Sequence, residues 1–157
     1  YHQIASYYHN GREEGQKTVK EYVSDLKNFI RENMVMPEYI AIDPSAAPLR
    51  VELLKDEYFS RHNIRIIAAK NNVEIGIQMV SYLLNINKFT LDPSCIHDIE
   101  EFGSYVWDSD KLDKGKEEVK INDHAMDKIR YALMTDTTIH RTFDRELKLF
   151  SGKGARE

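Results

Sequence analysis

The stretch Tyr39-Ile40-Ala41-Ile42-Asp43-Pro44-Ser45 decides the fold class. A short, continuous apolar run that stops at a carboxylate and a proline is too brief for a helix, and it suits a strand buried on both faces that ends at a polar edge. Buried strands of this kind belong to α/β folds, so the neighbouring sequence should supply helices to cover them. Upstream it does. Thr18 with Glu21 forms a capping-box pattern, and Val19, Tyr22, Val23, Leu26, Phe29 and Ile30 recur at helical spacing until Pro37 forbids continuation. Earlier still, Gln3 to Tyr8 reads as a strand, closed by the turn residues Asn10, Gly11 and Gly15.

Downstream the alternation continues. A helix is expected from about Leu49 to Phe59 and a buried strand over Ile64 to Ala68. Asn71 with Glu74 can cap a helix carrying Val73, Ile77, Val80 and Leu84, and Phe89 to Leu91 makes a short strand. Asp92-Pro93 fits an N-cap followed by proline, opening a helix with Ile96, Ile99, Phe102 and Val106 on one stripe. A charged excursion from Asp108 to Lys120 follows, and Asn122-Asp123 cap a final helix from about His124 to Met134. The whole reads as a layered α/β domain over residues 1–150, with a frayed tail over 151–157.

Composition bounds the function. The 157 residues are 41% hydrophobic and 31% charged, the balance of a globular domain rather than a disordered chain, and no apolar run is long enough to span a bilayer. A formal net charge of −4 excludes binding nucleic acid through overall basicity, so any DNA contact must be local or come from another domain. The lone Cys95 has no partner for a disulfide or a zinc site, which fits a reducing compartment. No GxxxxGK[ST] phosphate loop is present; Gly152-Lys153-Gly154 lacks its spacing.

Two places could carry chemistry. Asp43 lies where a buried strand ends, the edge at which α/β sheets expose functional groups; a plain turn-forming role for Asp-Pro-Ser accounts for it as well. On the last helix, His124 and Asp127 project about 60° apart around the axis, so both can reach one metal ion. Equally, Asn122, Asp123 and His124 can be only a helix start. Lys70, after a buried strand, and Lys111, Lys114, Lys116 and Lys120 of the charged excursion are candidates for phosphate contact, set against a solvated loop that also holds Asp108, Asp110, Glu117 and Glu118.

The run Asn122-Asp123-His124-Ala125-Met126-Asp127-Lys128-Ile129-Arg130-Tyr131-Ala132-Leu133 resembles the C-terminal signature of the large subunits of tailed-phage terminases, a DH-xx-D element opening a helix that continues as RYA. Tyr39 to Ala47 resembles the second acidic motif of that family, and Tyr7-Tyr8-His9-Asn10-Gly11-Arg12 the segment before it. The resemblance implies the nuclease domain: an RNase H-like, retroviral-integrase-type mixed sheet flanked by helices. It implies two divalent cations, Mg2+ with Mn2+ as an effective substitute, held by Asp43 and Asp127. His124 would be an auxiliary ligand and Asp123 a less favoured one. It also implies double-stranded DNA as substrate and, as partners, the terminase small subunit, the capsid portal and an ATPase domain of the same polypeptide, all in the cytoplasm of an infected bacterium. The family's first aspartate sits on a strand that would precede Tyr1, so the cation site of these residues is expected to be incomplete. A junction resolvase or RNase H-type enzyme of the same fold, or a docking module without catalysis, are the alternatives.

Overall fold

The computed structural model describes residues 1–104, 124–139 and 143. In chain order the elements are β1 (His2–Gln3), α1 (Val19–Glu32), β2 (Tyr39–Ile42), α2 (Ala47–Lys55), α3 (Glu57–Arg61), β3 (Arg65–Ala68), α4 (Val73–Asn85), β4 (Thr90–Leu91), α5 (Ile96–Ser104) and α6 (His124–Thr135). The strands form parallel pairs, β1 with β4 and β2 with β3, the latter in register from Tyr39↔Arg65 to Ile42↔Ala68. Parallel neighbours need a long crossover, which α2 and α3 provide between β2 and β3. Among the described residues no helix is long and apolar enough to cross a membrane.

Strand alternation places the site. Ile40 and Ile42 of β2, with Ile64 and Ile66 from the β3 side, pack with Val23, Ile30, Leu53 and Phe59 in one core. The other set of β2 side chains, Tyr39, Ala41 and, just past the strand, Asp43, lines a cleft against α6. The expected burial on both faces is therefore realised on one face as core and on the other as a partly open wall. A second core joins α4 and α6 through Met79, Val80, Leu83, Met126, Ile129, Leu133 and Met134.

Several boundaries differ from expectation, each for a local reason. The capping box at Thr18 and Glu21 is present, but α1 ends well before Pro37, because Met34 takes a left-handed φ of 52°. The expected helix over 49–59 is broken at Asp56, whose backbone is extended; it ends α2, and its side chain accepts from the Tyr58 amide to cap α3. The N-terminal strand stops at Gln3 because its partner β4 stops at Leu91; the last rung is Asp92 N–H to Gln3 C=O at 2.8 Å. Asn72, one residue later than expected, caps α4.

Two helices are also turned relative to their apparent apolar stripes. In α4 the buried positions are Gly76, Met79, Val80 and Leu83, while Leu84 is exposed. A Cβ on Gly76 would come within 2.9 Å of Met134 Sδ and 3.1 Å of Arg130 Cδ, so this glycine lets α4 and α6 approach closely. In α5 the buried residues are Cys95, just before the helix, and Asp98, at 0% and 2% exposed, whereas Ile96 and Ile99 face outward at 59% and 43%. A carboxylate turned inward needs partners. Asp98 Oδ1 accepts from Ser6 Oγ at 3.1 Å, its Oδ2 accepts from the Gln3 amide, and Lys128 Nζ stands 2.8 Å from both oxygens. This ion pair ties the N-terminal segment, α5 and α6 together.

Candidate active-site cleft

Both carboxylates singled out in the sequence line one open cleft of about 500 Å3, together with Tyr39, Ala41, His124, Lys128, Tyr131 and Ala132. Asp43 enters from the end of β2. Asp127, His124 and Tyr131 share one face of α6, as i, i+3, i+4 and i+7 spacings require.

Asp43 is held at both oxygens. Its Oδ1 accepts the Ser45 amide at 2.7 Å, and its backbone carbonyl accepts from Ala46 N–H at 2.9 Å, the local turn that Asp-Pro-Ser encodes. Its Oδ2 accepts the Tyr131 hydroxyl at 2.7 Å across 88 residues of chain. The Ser45 amide first, and the Tyr131 hydroxyl second, hold the Asp43 carboxyl below the usual carboxylate range, so it is ionised at neutral pH. Burial, followed by the hydrogen bond to Asp43, pushes the Tyr131 phenol up.

The same turn recurs at Asp92-Pro93-Ser94. There Asp92 Oδ1 accepts the Ser94 amide at 2.9 Å, and the Asp92 carbonyl accepts Cys95 N–H at 2.9 Å. The turn-forming reading of Asp43-Pro44-Ser45 is thus correct, whereas Asp92-Pro93, expected to cap and open a helix, forms the same turn instead, and α5 begins only at Ile96. What distinguishes Asp43 is the face of α6 opposite it.

Asp127 pairs with Arg130 one turn along α6. Arg130 is 4% exposed, and its Nε and Nη1 have no hydrogen-bond partner among the described residues. A guanidinium cannot shed its proton, so Asp127 is the counter-ion that makes its burial tolerable. The α6 amides of Ala125 and Met126 are capped from α5 by Glu101 Oε1, at 2.8 and 3.1 Å. The sequence assigned that capping to Asn122 and Asp123, which lie outside the described residues. Asp123, Lys111, Lys114, Lys116 and Lys120, as candidate ligand and phosphate contacts, lie outside them as well. Lys70 is described but is not among the residues lining the cleft; its amide donates to Thr135 Oγ1 at 3.1 Å, at the far end of α6.

The donor set suits a hard divalent cation: two carboxylates and an imidazole around an open, water-accessible space. Mg2+ is commonly held by one or two carboxylates, with waters and phosphate oxygens completing its shell. Among the described residues no cluster of three or more His, Cys, Asp or Glu side chains stands close enough to hold a metal unaided. Asp43 and Asp127 would hold the cation and His124 would border it. Sequence reasoning missed Asp98, Lys128 and Glu101 altogether, and it gave Arg130 and Tyr131 no place in the cleft. The available signal for Asp98 was its i+3 spacing from Cys95 and i−4 spacing from Phe102.

No family model and no curated protein matches the chain. Solved structures do. The large terminase of a thermophilic bacteriophage, in its crystal form 2, is 35% identical with a TM-score of 0.69 over 83% of this chain. This chain is similar to part of a phage large terminase. The same terminase in complex with ADP is 34% identical with a TM-score of 0.68 over 84% of this chain. In complex with ATP-gamma-S it is 35% identical with a TM-score of 0.66 over 80%. The matched region is 31% to 32% of each terminase chain, so this chain spans about a third of the protein it matches.

Proposed function

We propose that this chain is the nuclease part of a terminase large subunit, with an RNase H-like fold, cutting concatemeric double-stranded viral DNA during genome packaging in the host cytoplasm. The observation that carries the reading is the meeting of Asp43 and Asp127, remote in sequence, in one cleft. The likeness to a large terminase supports the packaging context. The absence of a phosphate loop from all 157 residues supports assigning the matched third to a part other than the nucleotide-binding one.

In this reading Asp43 and Asp127 would hold divalent cations, Mg2+ or Mn2+, whose chemistry when bound would be to activate a water and to stabilise the leaving 3′-oxygen of a phosphodiester. The chain's own contribution is orientation. The Ser45 amide aims Asp43, Arg130 aims Asp127, and His124 lines the cleft with them. The ATPase domain, small subunit and portal would be its partners in the packaging complex.

The test, made in the complete nuclease domain, is cleavage of linear duplex, four-way junction and RNA–DNA hybrid substrates with Mg2+ or Mn2+. Asp43→Asn and Asp127→Asn should each lower duplex cleavage by at least a hundredfold while the circular dichroism spectrum is unchanged. Full activity in either folded variant removes the nuclease assignment, and a preference for junctions or hybrids moves it to another enzyme class of the same fold.

A further inference from the structure

We propose that the Tyr131 hydroxyl is a latch on Asp43: it occupies the carboxylate oxygen that a divalent cation would take, so that phenol and cation exclude one another. The inference rests on the nuclease reading and adds a positioning residue to it. The geometry is specific. Asp43 Oδ1 accepts the Ser45 amide at 2.7 Å as part of the turn itself. Oδ2 is the oxygen left for chemistry, and the Tyr131 hydroxyl donates to it at 2.7 Å. Tyr131 and Asp43 line the same cleft, so the phenol holds Oδ2 within the space open to a cation. A carboxylate oxygen offers two lone-pair directions, and a cation taking the one that the phenol holds would have to displace it.

The second Asp-Pro-Ser turn supplies the internal comparison. Asp92 has the same amide bond on Oδ1, with the Ser94 hydroxyl at 2.6 Å on that oxygen, but no phenol donates to Asp92 among the described residues. The phenol on Asp43 is therefore no requirement of the turn. Tyr131 is one position after Arg130, which holds Asp127, so adjacent residues of α6 restrain the two carboxylates through separate donors.

The experiment is Mn2+ binding to the full chain, followed by electron paramagnetic resonance, with thermal melting as a check on folding. Tyr131→Phe keeps the ring and removes only the hydroxyl. A hydrogen bond to a charged acceptor that water can partly replace corresponds to a threefold to tenfold tightening, roughly, of Mn2+ binding in this variant. Asp43→Asn should abolish the same site. A second readout needs no variant: the ζ-carbon resonance of Tyr131 in 13C-tyrosine-labelled protein should shift in step with Mg2+ occupancy. If Tyr131→Phe binds Mn2+ no more tightly than the unaltered chain, or the Tyr131 resonance stays fixed through the titration, the latch is wrong and the nuclease reading stands. If the unaltered chain has no Asp43-dependent Mn2+ site, the phenol has nothing to exclude and the latch falls, while the nuclease reading is decided by the cleavage assay.

Discussion

Removing either member of the Asp98–Lys128 pair should destabilise the protein unequally, and the inequality can be worked from exposure. The Asp98 side chain is 3% exposed and that of Lys128 is 43% exposed, so the lysine can turn to water but the carboxylate cannot. Lys128→Met strands a buried charge with only the neutral donors Gln3 and Ser6, a loss of about 3–5 kcal/mol. Asp98→Asn leaves an amide that still accepts one bond and a lysine free to solvate, a loss of about 1.5–3 kcal/mol. With a urea m-value of about 2 kcal/mol/M for a chain of this size, the unfolding midpoint should fall by about 2 M in the first variant and about 1 M in the second. Because the two groups interact directly, the double variant should cost clearly less than the sum of the singles. A Lys128→Met midpoint no lower than that of Asp98→Asn, or strict additivity, would show that the pair does not anchor α5 to α6.

Gly76→Ala should lower stability by about 1 kcal/mol, the strain of a Cβ packed against Met134 and Arg130 outweighing the better helix propensity of alanine. Differential scanning calorimetry reads this directly, and a raised melting temperature would mean that α4 and α6 separate without cost. Stability should also fall on acidification. The Asp43 carboxyl is held below its ordinary value of 3.8, so its contribution is complete above that value and is lost as pH falls through the depressed one. Urea midpoints measured between pH 5 and pH 2 should therefore decline less steeply in Asp43→Asn than in the unaltered protein, and parallel declines would contradict the assignment.

Much of this was legible in the sequence. The strand over Tyr39–Ile42, the capping box at Thr18 and the extent of α6 follow from local signals, because periodicity and capping are local physics. The convergence of Asp43 with Asp127 came from the motif resemblance and not from any spacing rule, since no periodicity links residues so far apart. What stayed hidden were the faces of α4 and α5. Hydrophobic stripes were counted from isoleucines and leucines, but the contacts are made by a glycine chosen for its smallness and a carboxylate chosen for its lysine. Neither looks like core until the facing helix is known. The break at Asp56 was missed for a related reason: a residue that ends one helix while capping the next leaves the apolar pattern on both sides intact.

The donors from α6 to the cleft carboxylates occupy successive positions on a single rigid rod, seated on α4 at the notch left by Gly76. Asp43, by contrast, is fixed to the sheet. Sliding or rolling that rod would carry Asp127 bodily while stretching the bond to the stationary partner, so the spacing between the acids becomes a mechanical variable of the scaffold. Force applied to the back of α4 would be felt at the cleft carboxylates.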